Sequence, residues 1–443
     1  MLPARLYPVR MPVRCLLSIA ILAGAAGAQQ RWYVDDDAPM GGDGKSWASA
    51  FRGLDEALHA SAHLDEIWVA AGRYAPRERQ DPADPRSASF VFGNNKQLYG
   101  GFAGNEQRLA ERAGLFAQTL LDGELGLPQA RDDNAYHVIT MKGKMLVDGF
   151  RIANGQADGP LSGSRGGAIL AEGGFGNQAT FVRCIFNANQ AVQGGALHAQ
   201  NSILHFVDCR FTRNRALSLG GAVRAQAAYI TCVNSVFEFN SAVQGGAFSL
   251  SSIQLNPISV RMMGCIFDRN RAELGGAAHL GASQLSSGAA LWGNCTFWHN
   301  EASDTAGAIY AKTDSAHPAI NLLFNCIVWE NRAPNSPGLF GRQSLNWSLV
   351  QGNGSAGNHN FEADPWFVDP EGGDFHLLPG SPAIDSGANP LVLEDFSDLD
   401  GDGIVLEPCP FAPGGVRRFI DEPATPDTGL GPAPIVDRGA CEN

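Results

Sequence analysis

Through the middle of this chain, apolar and polar residues alternate in short runs, and each run ends on Asn or on a pair of glycines. A period of two predicts strands, with alternate side chains on opposite faces. The phrase Cys184-Ile185-Phe186-Asn187-Ala188-Asn189 returns at Cys209–Asn214, Ser235–Asn240, Cys265–Asn270, Cys295–Asn300 and Cys326–Asn331, at spacings of 25, 26, 30, 30 and 31 residues. Each copy is followed by a triplet: Gly194-Gly195-Ala196, Gly220-Gly221-Ala222, Gly245-Gly246-Ala247, Gly275-Gly276-Ala277, Ala306-Gly307-Ala308 and the degraded Pro337-Gly338-Leu339. A unit of this length with two strand-like pieces cannot bury a core alone and must stack on its neighbours.

Stacking at the parallel-strand distance of about 4.8 Å turns each repeated position into a ladder. The alternation predicts that Val182, Cys184 and Phe186 point inward, with Val207, Cys209, Phe211, Val233, Ser235 and Phe237 as equivalents. Arg183, Ile185, Asp208, Arg210, Asn234 and Val236 then face solvent. After the glycines, Leu197 and Ala199 point inward and His198 outward, with Arg224, His279 and Tyr310 as its outward equivalents. The ladder Asn189, Asn214, Asn240, Asn270, Asn300 and Asn331 falls where strands end, and stacked amides there can bond one another and the turn backbone. Paired glycines suit a sharp bend or a close backbone approach.

Upstream, Arg31–Val34 and Ile67–Ala70 read as strands flanking a helix over Trp47–Ala60, with Phe51, Leu54, Ala57 and Leu58 on one face. Such a unit can plug the open end of a stack. Strand-like pieces recur at Phe90–Phe92, Leu98–Phe102, Thr119–Leu121 and Tyr136–Thr140. The expected organisation is a leader at 1–28, an N-terminal cap with irregular coils at 29–145, regular repeats at 146–345, and a closing segment at 346–443 with an acidic insertion.

The leader carries Arg5, Arg10 and Arg14 ahead of an apolar run and ends on Ala26-Gly27-Ala28, the pattern of a secretory signal. Cys15 lies before the cleavage region, which argues against a lipid anchor. Removing three arginines takes the net charge from −13 to −16. That balance disfavours nucleic acid and anionic membranes as partners, since both need a basic face. No later apolar stretch is long enough to span a bilayer, so the expectation is an exported, soluble chain. Charged residues make up only 17% of the chain while Gly reaches 53 of 443, which favours all-β structure with many turns.

The Phe-x-x-Asn and Gly-Gly-Ala phrases resemble the repeats of polymorphic outer-membrane proteins and related right-handed parallel β-helix proteins of the pectin-lyase-like superfold. The likeness extends to Tyr33-Val34-Asp35, Ile67–Tyr74, Tyr99–Gly104, Val147–Phe150, Asn325–Trp329, Asp364–Pro370, Gly380–Gly387 and Asp437–Ala440, and so covers nearly all of the chain after the leader. It implies a single-stranded right-handed parallel β-helix with an N-terminal capping strand–helix unit, an irregular closing segment and an exported location; a fold of this kind does not by itself supply a reaction. The chain departs from the pattern at Ala306, Pro337 and Leu339, and by an insertion from about Leu391 to Pro434.

Candidate chemistry sits on the outward ladders. A two-carboxylate glycosidase needs its acids about 5 Å apart for retention and about 6.5–9.5 Å for inversion. Glu238 and Asp268 occupy the same outward position on successive coils and are the candidate catalytic pair, while Arg213, Arg269, Trp298, His299, Trp329 and Glu330 supply rings and hydrogen-bonding groups suited to sugars. Outward positions on an acidic solenoid are also polar by default. The repeats carry no Asn-Thr-Asp, Asp-Asp or Gly-His-Gly phrase of the polygalacturonase kind, and no compact aspartate cluster of the pectate-lyase kind.

Asp398-Leu399-Asp400-Gly401-Asp402-Gly403 spaces three carboxylates as hard-oxygen Ca²⁺ ligation requires, and Glu407 is a further ligand candidate. Structural Ca²⁺ is the one cofactor suggested. The stacked cysteines are expected to pack as small apolar groups, with Cys232 out of register. Cys409 and Cys441, in the closing segment of an exported chain, are the expected disulfide. The functional expectation is a non-catalytic scaffold for adhesion or glycan binding, with a polysaccharide or cell-surface component as partner. A polysaccharide lyase or glycoside hydrolase, and a structural envelope component, are the alternatives.

Overall fold

The computed structural model describes residues 29–442 apart from positions 94, 113, 115, 129 and 175 and the stretches 253–258, 282–288, 313–319, 353–357 and 396–397. The expected signal over residues 1–28 lies outside the described residues.

Among the described residues, three long parallel sheets of eleven, ten and nine strands wrap one core as a parallel β-helix. The eleven-stranded sheet begins at Arg31–Val34 and ends at Gln343–Asn346, the ten-stranded sheet runs from Gly72–Tyr74 to Leu349–Val350, and the nine-stranded sheet from Phe90–Gly93 to Leu339–Phe340. Arg31–Val34 pairs with Glu66–Ala70 in the same sheet as the regular repeats, so the stack starts at the first described strand. The expected Trp47–Ala60 helix is divided: Trp47–Ser49 forms one 3₁₀ turn, and Leu54–Ala60 forms the α-helix, with Leu54, Ala57 and Leu58 buried. Gly53 holds an extended conformation between the two and acts as the N-cap, where the side chain of Glu56 accepts its backbone N–H.

Phe186, Phe211, Phe237, Phe267 and Phe297 form the predicted interior column, with successive centroids 4.4, 4.7, 5.0 and 4.7 Å apart and planes nearly parallel. The cysteine column is buried and every thiol is free. Ser235 fits the same column because its Oγ donates to the Val233 carbonyl at 2.9 Å. Each ladder Asn is buried and bonds its neighbour; Asn214 Nδ2, for example, donates to Asn240 Oδ1 at 3.0 Å and to the Phe186 carbonyl at 2.9 Å.

The glycine pairs divide the two expected tasks between them. Gly220 adopts φ +64°, in the left-handed region, whereas a Cβ on Gly221 would stand 2.0 Å from the carbonyl oxygen of Gly246 on the next coil.

One part of the inside–outside assignment is corrected. Val182, Val207 and Val233 do not join the interior; the buried column of that sheet is Phe181, Phe206, Cys232, Met262 and Trp292. Arg183, Asp208 and Asn234 turn the corner at φ of 50–51°, and a left-handed residue between two strands resets the alternation. Cys232 is thus out of register with the other thiols because it belongs to this second column. Val233 instead packs outside with Met263, Val392, Cys409 and Val436.

The closing segment lies against the outer face of the last coils. Ile266 and Trp298 pack under Phe375, Ala440 and Cys441, while Ile327 and Leu349 pack under Leu377, Ala383 and Ile384. Asn234 was expected in solvent; it is buried and donates to the carbonyl of Phe411 at 3.3 Å.

Candidate functional site

The ten-stranded sheet brings the sequence-predicted residues together on its outer face. Thr212, Glu238, Asp268, Trp298 and Trp329 stand in register on five consecutive strands. One residue further along each strand the chain turns, and Arg213, Phe239, Arg269, His299 and Glu330 all adopt φ of 52–54° or, for Arg269, 50°. A left-handed corner splays these side chains away from the sheet, and a second ladder forms beside the first. Arg269 lies over Phe239 and Trp298 at 5.4 and 4.8 Å from their centroids, and Arg213 lies 5.9 Å from the centroid of Phe239.

The two candidate acids sit in different electrostatic settings. Burial raises Glu238, but its bonds to the Arg210 guanidinium, at 2.8 and 2.6 Å, more than reverse that and hold it below the usual glutamate range. Asp268 is pushed up to about 7, chiefly by burial, against the pull of Arg269 and with the push of Glu238 and Glu371. It is 2% exposed, and its Oδ1 accepts no hydrogen bond. Arg269, which contacts Asp268 Oδ2 at 3.3 Å, is itself held by Glu371 Oε2 at 2.6 Å and by the carbonyls of Pro370 and Glu371. The closing segment therefore covers one member of the pair.

Trp298 is removed from the sugar-facing set. It is 2% exposed, packs edge-on to Phe375 at 5.7 Å, and donates its Nε1 hydrogen to Glu330 at 3.1 Å. Trp329 and His299 are half-buried, while Arg213 and Glu330 are exposed. Phe239 is 42% exposed. Sequence reasoning passed over it, although it occupies the corner position whose equivalents are Arg213, Arg269, His299 and Glu330. Two surface depressions, of about 590 Å³ beside Arg52 and Tyr74 and about 420 Å³ beside Arg332 and Pro334, are not lined by either acid.

On the nine-stranded sheet the outward ladder is not solvated as expected. His198 is fully buried, Arg224 is 6% exposed and His279 is 7% exposed. Burial pushes His198 down to about 3 and His279 down to about 4, so both rings are neutral near pH 7. Arg224 donates to Ser249 and Ser251, and His279 stacks on Tyr310 at 5.2 Å.

In the closing segment, carboxylate oxygens of Asp398, Asp400 and Asp402 lie within 4.8 Å of one another, and those of Asp395, Asp400 and Glu407 form an overlapping group. Each of the first three also accepts from the turn backbone: Asp398 from Gly403, Asp400 from Asp402 and Asp402 from Ile404. The expected Cys409–Cys441 bridge is corrected. Both are free, buried thiols, and they pack in different apolar clusters, Cys409 against Val392 and Val436, Cys441 against Trp298 and Phe375. Burial raises them to about 11 and about 12.

No family model and no curated protein matches the chain. Among solved structures it is similar to pectate lyase Pel9A, with 10% identity over 94% of this chain and 97% of that one at a TM-score of 0.49. It is also similar to pectin methylesterase PemA from Erwinia chrysanthemi, with 11% identity over 72% of this chain and 94% of that one at a TM-score of 0.36.

Proposed function

We propose that this chain is an exported, non-catalytic β-helix scaffold that binds glycan along the strip of Arg213, Phe239 and Arg269, outside the cell or at its surface. The observation that carries the reading is the contrast between Phe239, 42% exposed beside two guanidinium groups, and Asp268, 2% exposed beneath the closing segment. An exposed ring offers a flat apolar face to a sugar, and neighbouring Arg and Glu side chains offer donors and acceptors to its hydroxyls. A general acid must reach the glycosidic oxygen, and a covered carboxyl does not.

One observation favours the hydrolase alternative: Asp268 is raised while its register neighbour Glu238 is lowered, the division of roles an acid and a carboxylate partner require. The readings separate in a single comparison. Purified full-length protein is screened on a glycan array, and its best ligand is then incubated with it and analysed for new reducing ends or unsaturated products. Binding without products, weakened about tenfold by Phe239→Ala, is the expected result. Product formation abolished by Asp268→Asn rejects the scaffold, and absence of both binding and products leaves a structural envelope role.

A further inference from the structure

The acidic turn at Asp398–Asp402 is what sequence motifs single out, but a different carboxylate cluster has the stronger physical case for an ion. Asp385 lies at the end of Ser381–Asp385, a stretch folded against the last coils. Its backbone is fixed on both sides: its N–H donates to Asp437 Oδ1 at 2.8 Å, and its carbonyl accepts from Thr428 and Gly429 at 2.9 and 3.1 Å. With φ at 47°, this locked residue aims its side chain at the loop 421–427, where an oxygen of Asp385 and oxygens of Asp421 and Asp427 lie within 4.8 Å of one another.

Asp385 is fully buried, and among the described residues neither of its carboxylate oxygens has a hydrogen-bond donor. Against the push of burial, the Glu422 backbone pulls its value down. Burying a carboxylate without a partner costs several kcal/mol, so such a group is either protonated or neutralised by a cation. The charges that act on it most strongly, those of Asp427, Asp421 and Glu422, are all negative, and with burial as the first cause they push it up to about 6. Asp421 and Asp427 are exposed, so the group opens to solvent on one side and an ion held there can keep several waters.

We propose that Asp385, Asp421 and Asp427 bind a hard divalent cation, Ca²⁺ by ligand chemistry, that ties the loop 421–427 to the β-helix. The donors are carboxylate oxygens alone, with no His or Cys among them, which favours Ca²⁺ over zinc or a softer transition metal. A single buried acid with two at the rim gives the mixed protein-and-water shell that Ca²⁺ tolerates and that a compact all-protein cage would not need.

The test is calorimetric titration of the EDTA-treated, desalted full chain with CaCl₂ at neutral pH, alongside thermal melts with and without Ca²⁺. The proposal expects binding and a Ca²⁺-dependent rise in Tm, with Asp385→Asn weakening that binding at least about tenfold. Asp400→Asn, in the other acidic turn, leaves this component unchanged. If Asp385→Asn does not fold by circular dichroism, the exposed Asp427→Asn serves in its place and is expected to weaken binding in the same direction. An isotherm of Asp385→Asn or Asp427→Asn that superposes on that of the unsubstituted chain overturns the proposal. So does a chain that binds no Ca²⁺, or one whose binding is lost only in Asp400→Asn.

Discussion

Asn240 is the most informative residue to remove, because four hydrogen bonds of the corner ladder meet at its amide. Its Oδ1 accepts from the backbone N–H and the Nδ2 of Asn214, both at 3.0 Å, and its Nδ2 donates to Phe211 O at 2.9 Å and Asn270 Oδ1 at 3.0 Å. In Asn240→Ala the Asn214 side chain keeps its bond to Phe186 O, and Asn270 Oδ1 keeps the Asn240 backbone N–H. The Asn214 N–H and the Phe211 carbonyl are left without these partners in a site that is fully buried. Stranding a buried polar group costs about 1–3 kcal/mol and a lost hydrogen bond about 0.5–1.5 kcal/mol, so the two stranded groups with the two lost side-chain bonds come to about 3–9 kcal/mol. Urea unfolding of Asn240→Ala against the parent measures the total, and hydrogen exchange at the Asn214 amide localises it. Arg271→Ala is the control, since the Arg271–Glu301 pair is 75% and 54% exposed and contributes at most about 0.5 kcal/mol. A loss below about 1 kcal/mol for Asn240→Ala, or an Asn214 amide as protected as before, would refute the view that the amides hold the corners.

Phe237→Ala empties a ring from the middle of the interior stack and is expected to cost about 3–5 kcal/mol by denaturant unfolding, against about 1 kcal/mol or less for an exposed ladder position such as Arg213→Ala. Gly221→Ala places a Cβ 2.0 Å from Gly246 O and should lower the soluble yield and Tm, whereas Gly176→Ala, with open space around it, should leave both unchanged. Asp268 has a folded value near 7, above its unfolded value, so its protonated form stabilises the fold at acid pH; the stability is fully present below about pH 4 and is lost as pH rises through about 7. Asp268→Asn should flatten unfolding free energy over that window, by up to about 4 kcal/mol, and a profile parallel to the parent's speaks against the shift. Without reductant, the eight cysteines from Cys184 to Cys441 should all react with a thiol reagent after unfolding and few should react before it; six reactive thiols would restore the Cys409–Cys441 bridge.

The repeat phrase alone determined much of the stacking. A period of 25 to 31 residues can bury its apolar face only against the next copy, so Phe211 must lie over Phe186, and Asn214 over Asn189. The same logic failed at Val182 because alternation holds only within a strand, and the left-handed Arg183 between two strands is not marked by residue type; Arg, Asp and Asn all occupy that corner. What the outer face became was decided only by tertiary structure. Glu238, Asp268 and Trp298 are placed side by side by strand register, which is local to the repeat, but Trp298 and Asp268 are taken from solvent by residues about 70 to 140 positions further on that carry no period. Burial of that kind depends on which distant segment folds over a strand, and no spacing within the repeat encodes it. The cluster of Asp385, Asp421 and Asp427 has the same origin: three acids scattered over more than forty positions have no motif, and only the closing fold of the chain brings their oxygens together.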